Sequence, residues 1–207
     1  MNLFPTAIPE FFGGDINGDK SPDIVATSYG SNSVSVLIND GRGGFGVVNP
    51  LPGLGAPSLV TLGDLNGDGA LDMVVPSYFT NGVNVLLGNA KGGFGAAAHF
   101  AAGTSPVAVA VGDFDRDGKA DLAVANAMGG DASVLRGDGA GGFGAPVDYP
   151  TGSIPTAVGV GDANENEGPR PLGARSASRA ARGTTLSMLR SRRIPFWRLS
   201  GRGRRAP

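Results

Sequence analysis

Asp64-Leu65-Asn66-Gly67-Asp68-Gly69-Ala70-Leu71-Asp72 carries an oxygen-bearing side chain at positions one, three, five and nine. The same spacing occurs at Asp15, Asn17, Asp19 and Asp23, and again at Asp113, Asp115, Asp117 and Asp121; it begins once more at Asp162, Asn164 and Asn166. The first aspartates stand at 15, 64, 113 and 162, a constant step of 49 residues. Alternate residues of a tight loop can point inward together, and Ca2+ is a hard cation that takes about six to eight oxygens at about 2.3 to 2.6 Å. A backbone carbonyl near position seven (Ser21, Ala70, Lys119) can add a further oxygen. Without a cation, carboxylates this close repel one another and raise each other's pKa. The stretch reads as a calcium loop, set on a period.

An EF-hand needs a bidentate Glu at position twelve and a helix on either side. Here position twelve is Ala26, Val75 or Val124, which excludes it. Each loop leads instead into a short apolar run, Asp23-Ile-Val-Ala, Asp72-Met-Val-Val or Asp121-Leu-Ala-Val, of the kind that forms a strand.

The period extends beyond the loops. Gly44-Phe45-Gly46, Gly93-Phe94-Gly95 and Gly142-Phe143-Gly144 share it, as do Pro57, Pro106 and Pro155. So do the alternating runs Ser33-Val-Ser-Val-Leu37, Gly82-Val-Asn-Val-Leu86 and Asp131-Ala-Ser-Val-Leu135. One repeat, followed from Pro106, predicts a strand over 107–111, the acidic loop, a second strand over 122–125 and a turn through Met128 to Asp131. A third strand over 133–136, the glycine turn 137–142 and a short fourth strand over 146–149 complete it. Four strands in about 49 residues make one β-propeller blade, and nothing in the repeats has the period of a helix. The expected fold is therefore all-β: a partial propeller of about three four-stranded blades, with repeats starting near 8, 57 and 106 and a truncated fourth from 155.

These residues resemble the FG-GAP or VCBS-type repeat of integrin α-subunit propellers and many bacterial surface proteins. Phe45-Gly46, then Gly55-Ala56-Pro57, then the Asp64 loop spell its signature, and the likeness covers roughly residues 7 to 162. It implies calcium-bearing blades in a secreted or cell-surface protein that binds proteins or glycans. On the same likeness the ligands are Asp15, Asn17, Asp19 and Asp23; Asp64, Asn66, Asp68 and Asp72; and Asp113, Asp115, Asp117 and Asp121. Lys20 stands in the first loop where the others have Gly69 and Gly118, and Arg116 stands in the third where the others have Gly18 and Gly67. The second loop is thus expected to be the least compromised site.

Residues 1–162 carry 6 Lys/Arg against 16 Asp/Glu, a net of −10; residues 163–207 carry 11 Arg against 2 Glu, a net of +9. This divides the chain into a repeat domain over 1–162 and a basic, mostly disordered low-complexity tail over 163–207. The fourth repeat fails where Arg170 replaces the position-nine aspartate. If Arg170-Pro171-Leu172-Gly173 were encoded CGA CCT CTC GGT, followed by the G of an Ala codon, reading one base later would give Asp-Leu-Ser-Val, the missing repeat sequence. The tail thus reads as out-of-frame or unrelated sequence, and within it Leu186-Ser-Met-Leu189 resembles the Val-Ser-Val-Leu strand. The remaining readings are a polyanion-binding arm, with Phe196-Trp197 available for stacking, and a short helix around Ala174 to Arg193 packing on the open blade edge; scattered arginines after an interrupted repeat argue against nucleic acid.

Other chemistry finds little support. There are no cysteines and no Gly-x-Ser-x-Gly, and the single histidine, His99, lies in a strand-like Ala-Ala-Ala-His-Phe. Gly41-x-Gly43-x-x-Gly46 and Gly139-x-Gly141-x-x-Gly144 match a dinucleotide-binding pattern by letters only, because no helix follows. Phe45, Phe94 and Phe143, one per repeat beside a glycine turn, are expected to plug the space between blades. No apolar run is long enough to span a membrane, and the N-terminal stretch has no signal-peptide pattern.

The expected function is a non-catalytic, calcium-binding module, extracellular or at the cell surface, with a protein or glycan ligand. The alternative is the non-catalytic remnant of a secreted polysaccharide-active enzyme. Unclosed blades predict self-association through open edges.

Overall fold

Short Val/Ala-rich runs separated by Asp, Asn and Gly turns favour antiparallel meanders, and three of them form on the 49-residue period. The computed structural model describes residues 11–161 and 185–187. Blade one comprises β1 (Phe11–Gly14), β2 (Asp23–Ser28), β3 (Ser33–Asn39) and β4 (Phe45–Pro52). Blade two comprises β5 (Thr61–Gly63), β6 (Asp72–Ser77), β7 (Gly82–Leu86) and β8 (Ala98–Ala101). Blade three comprises β9 (Pro106–Gly112), β10 (Asp121–Asn126), β11 (Asp131–Leu135) and β12 (Val147–Pro150). Strands pair in chain order within each blade. The all-β, partial-propeller architecture is the one the repeats predict. The second and third strands each begin earlier than the apolar run implies, because Asp121 and Asp131 are themselves paired residues.

Side-chain alternation assigns each blade two faces. On β6, Met73 and Val75 join Val25, Val34 and Val36 in the core between blades one and two. Val74, from the same strand, joins Val109, Leu122 and Val124 between blades two and three. A strand buried on both faces reads as a continuous apolar run, which is why β6 and β10 are buried at every position. Hydroxyls and amides add stitches between blades. Ser58 Oγ donates to the Val107 carbonyl and Thr61 Oγ1 to that of Val109, both at 2.8 Å. Asn32 and Asn81 accept from the backbone of Ala56 and Ser105, at the entry to the next blade.

Beyond blade three, β13 (Gly159–Gly161) pairs with β14 (Thr185–Ser187), with Gly161 opposite Thr185. In blade three Gly112 is opposite Asp121, so β14 stands where a second blade strand belongs. The likeness of Leu186-Ser-Met-Leu189 to a third strand is therefore met by a second-strand pairing. The other tail expectations, and the loop Asp162, Asn164 and Asn166, lie outside the described residues.

The position-nine aspartates organise each blade. Asp23, Asp72 and Asp121 are buried, at 0%, 0% and 1% exposure. The Asp72 carboxylate accepts the Leu65 N–H and the Gly88 N–H, each at 2.8 Å. Asp23 takes the N–H groups of Ile16 and Asn39, and Asp121 those of Phe114 and Gly137. One carboxylate thus ties the acidic loop to the turn that follows the third strand. Asp72→Ala leaves two inward N–H groups without an acceptor and is expected to cost about 2 to 5 kcal/mol in urea unfolding with EDTA present. Exposed Asp68→Ala should cost far less under the same chelated conditions; equal losses would remove the distinction between clamp and loop surface.

Candidate functional site

Because each blade is an antiparallel meander, the connections from first to second and from third to fourth strand emerge at one end. At that end lie the three acidic loops and the turns 40–44, 89–93 and 138–142. Within a loop, carboxylates of positions one and five fold the backbone around themselves. Asp64 accepts the N–H groups of Gly67 and Gly69, and Asp68 accepts that of Ala70 at 2.7 Å together with the Asn66 amide at 2.9 Å. Asp15 and Asp19, and Asp113 and Asp117, repeat the pattern. The left-handed residues coincide too. Lys20 (φ 73°) takes the place of Gly69 (φ 83°), and Arg116 (φ 66°) that of Gly67 (φ 77°), so both basic substitutions sit where glycine is least strained.

Carboxylate oxygens of Asp113, Asp115 and Asp117 lie within 4.8 Å of one another, a separation that a single ion with metal–oxygen distances of about 2.4 Å can bridge. Loops one and two supply Asn17 and Asn66 as neutral oxygens at the middle position. Position nine is placed differently: each carboxylate faces the two backbone N–H groups that it clamps. The donor set is oxygen throughout, which fits a hard cation.

The third loop also attracts basic side chains. Lys119 Nζ is 3.2 Å from Asp117, and Arg136 forms an ion pair with Asp115. These are the ion pairs among the described residues, so the acids of loops one and two have no such competitor, and neither Lys20 nor Arg116 is in an ion pair. Arg136 occupies the repeat position of Ile38 and Leu87; those aliphatic chains lie against the next blade's glycine turn at Gly92 and Gly141.

Mutual repulsion alone would raise the carboxylates' pKa values, yet Asp19, Asp68 and Asp117 are lowered. The Asn17 amide is the largest cause for Asp19, and the backbone N–H groups of Ala70 and Lys119 are the largest for Asp68 and Asp117. Asp72 is raised, because burial outweighs its two N–H donors and the charges of Asp68 and Asp64 add to the effect.

A second Asx-type signal, one per repeat, escaped the sequence reading. Asp40, Asn89 and Asp138 each accept two N–H groups of the following turn, from Arg42 and Gly44, Lys91 and Gly93, and Ala140 and Gly142. Their spacing of 49 residues was its available trace. The same bonds hold Asp40 and Asp138 below the ordinary carboxylate range. The apparent dinucleotide patterns fall in these turns, and no helix is present among the described residues. His99 is exposed on β8, with Nδ1 3.3 Å from Asn84 Oδ1.

The opposite end has another character. Turns 29–32, 78–81 and 127–130 and connections 53–57, 102–105 and 151–155 contain no Asp, Glu, Lys or Arg, and Asp131, which follows the third turn half-exposed, accepts from the Asn126 amide at 2.8 Å. Tyr29, Tyr78 and Phe79 cluster there, with ring centroids 5.4 to 6.4 Å apart and Phe79 68% exposed. Met128, at the repeat position of Phe79, is also exposed, as is Ile154.

A family profile described as FG-GAP-like repeat matches residues 15–75 and 77–124, and one described as FG-GAP repeat matches residues 105–148. The chain belongs to the FG-GAP repeat family. The first matched segment begins at Asp15, and together the matched segments include all three acidic loops with their position-nine aspartates. No curated protein sequence matches. Among solved structures, a lectin of Agrocybe aegerita, described for specific recognition of non-reducing terminal N-acetylglucosamine, is 29% identical with a TM-score of 0.49, over 68% of this chain and 37% of its own. A Tc holotoxin pore of Photorhabdus luminescens is 20% identical with a TM-score of 0.37, over 72% of this chain and 10% of its own. The chain thus spans well under half the length of either.

Lowering and raising have opposite linkage. A lowered Asp68 contributes stability above the unfolded value near 3.8, lost as pH falls through the folded value; a raised Asp72 contributes at low pH and loses that contribution as pH rises through its folded value. Carboxyl-carbon NMR of the metal-free protein is expected to place the Asp68 midpoint below 3.8 and the Asp72 midpoint above it. The reverse order would contradict the donor geometry.

Proposed function

We propose that this chain is a non-catalytic binding module of a secreted or cell-surface protein, its FG-GAP blades held in shape by Ca2+. The observation that carries the reading is the oxygen-only set at Asp113, Asp115 and Asp117 within single-ion reach, repeated in pattern at Asp15, Asn17 and Asp19 and at Asp64, Asn66 and Asp68. Asp23, Asp72 and Asp121 belong to the proposed ligand sets as well. A carboxylate has about four acceptor sites, so the two N–H groups bound by each leave lone pairs for an ion. Calcium would supply positive charge to loops that otherwise keep lowered, ionised carboxylates together, and would tie their backbone at one end of each blade. Extracellular modules bind Ca2+ at about 10⁻⁴ to 10⁻³ M, which suits that compartment.

The proposed ligand surface is the aromatic end, remote from the acidic loops. Rings that expose apolar faces beside Asn, Ser and Thr side chains make typical recognition surfaces, because they bury area at low conformational cost. Protein and glycan ligands both fit this chemistry.

Thermal unfolding of the full chain is expected to shift upward as Ca2+ rises from micromolar to about 10 mM, because a ligand of the folded state alone stabilises by mass action. Mg2+ should give a much smaller shift, and Asp64→Ala with Asp68→Ala should remove the second loop's share while leaving the third's. No shift over that range would end the calcium assignment. On glycan and extracellular-protein arrays, a ligand captured by the parent should lose tenfold or more, about 1.4 kcal/mol, with Phe79→Ala. Loss with Asp113→Ala at saturating calcium, and none with Phe79→Ala, would move the ligand to the acidic end.

A further inference from the structure

The three acidic loops carry unequal charge. Positions one, three and five hold two carboxylates in loop one (Asp15, Asp19) and in loop two (Asp64, Asp68), with Asn17 and Asn66 between them. Loop three holds three: Asp113, Asp115 and Asp117. Ligand charge alone would make loop three the tightest calcium site, because affinity is tuned by the number of ionised ligands. Basic residues follow the same distribution, however. Position seven is Ser21 in loop one and Ala70 in loop two, but Lys119 in loop three; the repeat position of Ile38 and Leu87 holds Arg136 in blade three.

Both cations are seated on the loop. Lys119 Nζ lies 3.2 Å from Asp117 Oδ2. The Lys119 stem runs beside Gly139, its Cδ 3.0 Å and its Cγ 3.1 Å from where a Cβ there would stand. Asp138, held below the ordinary carboxylate range first by the N–H groups of Ala140 and Gly142, is lowered further by the Lys119 charge. The ammonium thus serves the acidic loop and the neighbouring glycine turn together. Blade two has Ala70 in place of Lys119 and Ala90 in place of Gly139, so no cation enters there from position seven. Arg136 is ion-paired with Asp115, the carboxylate that loops one and two lack. A Ca2+ bonded to Asp115 and Asp117 would compete for oxygens that these cations already hold, and would stand beside two positive charges unless both side chains swung into solvent.

We propose that loop three carries its own counter-charge in Lys119 and Arg136 and takes Ca2+ after loop two, so that calcium tightens blade two more than blade three. This order presupposes the calcium reading of the loops given above, and refines it. The three carboxylates that best outline an oxygen site are also the ones least in need of an ion. Loop two, with two carboxylates, the Asn66 amide and no ion-paired cation, gains more from the metal.

Carboxyl-carbon NMR of the full chain, titrated with Ca2+ from micromolar to about 10 mM, reads each loop separately. Asp113 and Asp117 are expected to shift with a midpoint at least about threefold above that of Asp64 and Asp68, the scale of two partly exposed ion pairs. Lys119→Ala with Arg136→Leu, which install the residues of blade two, should lower the third loop's midpoint at least about threefold. The second loop's midpoint and the thermal transition should be retained. Amide exchange of the parent gives a reading that needs no substitution: chelation should speed exchange at Gly69 and Ala70, which donate to Asp64 and Asp68, more than at Gly118 and Lys119, which donate to Asp113 and Asp117. A third-loop midpoint at or below the second's, equal loss of amide protection on chelation, or a midpoint indifferent to the double substitution would each overturn the proposal while leaving calcium binding in place. No calcium shift at any loop would overturn the calcium reading and the filling order together.

Discussion

Everything in a blade turns on one buried carboxylate. Removing a charged aspartate from water is costly unless it is hydrogen-bonded, and burial does raise the pKa of Asp72. Two backbone N–H groups, drawn from opposite sides, offset that cost. Asp72 is the first residue of its strand, so it can reach back to Leu65 in its own loop and across to Gly88 beyond the third strand. An amide could accept only one of these N–H groups through its oxygen, and would oppose an NH2 to the other. The position is aspartate in all three complete repeats and arginine at 170, where the fourth repeat's pattern stops.

With both connections at one end fixed, a blade becomes a flat unit that has two apolar faces and can bury each only against a neighbour. Stability in such arrays is close to a sum of blade terms and nearest-neighbour terms. The 49-residue period is the sequence image of that rule: the plug, the clamp and the aliphatic residue that meets the next glycine turn must recur together. Arg136 shows the rule relaxed. Where Ile38 and Leu87 lie against a following blade, it turns instead to Asp115, satisfying the acidic loop of its own blade.

Local chemistry was legible in the residues and relations between blades were not. Spacing alone implied strands and acidic loops, because each depends on residues within about ten positions; the cations that pair with the third loop, Lys119 and Arg136, were not the ones the spacing singled out. The clamp was not legible: a position-nine aspartate looks like a loop oxygen, and only the strand pairing shows it also facing inward between two turns. Crowding predicted raised carboxylate pKa values, but the N–H donors that lower Asp19, Asp68 and Asp117 belong to a folded loop that composition cannot display. Phe45 carries the same letter as Phe94 and Phe143, so nothing local could reveal that it is the exposed one of the three.

The distance between the two ends bears on how a metal at one end can influence recognition at the other. Strands β2 and β6, six residues each, start at a clamp aspartate and end beside Tyr29 and Tyr78, about 20 Å away at ordinary strand rise. An ion in the acidic loops cannot touch a ligand at that distance. What it can change is the fraction of molecules whose turns 29–32 and 78–81 are held in register by a folded blade. Apparent affinity scales with that competent fraction. Where the blade is already fully folded, calcium should leave ligand affinity almost untouched; where it is marginal, calcium dependence should appear and should vanish when the same stability is supplied another way. Calcium dependence of binding, taken alone, would therefore measure the stability of a blade and say nothing about where the ligand sits.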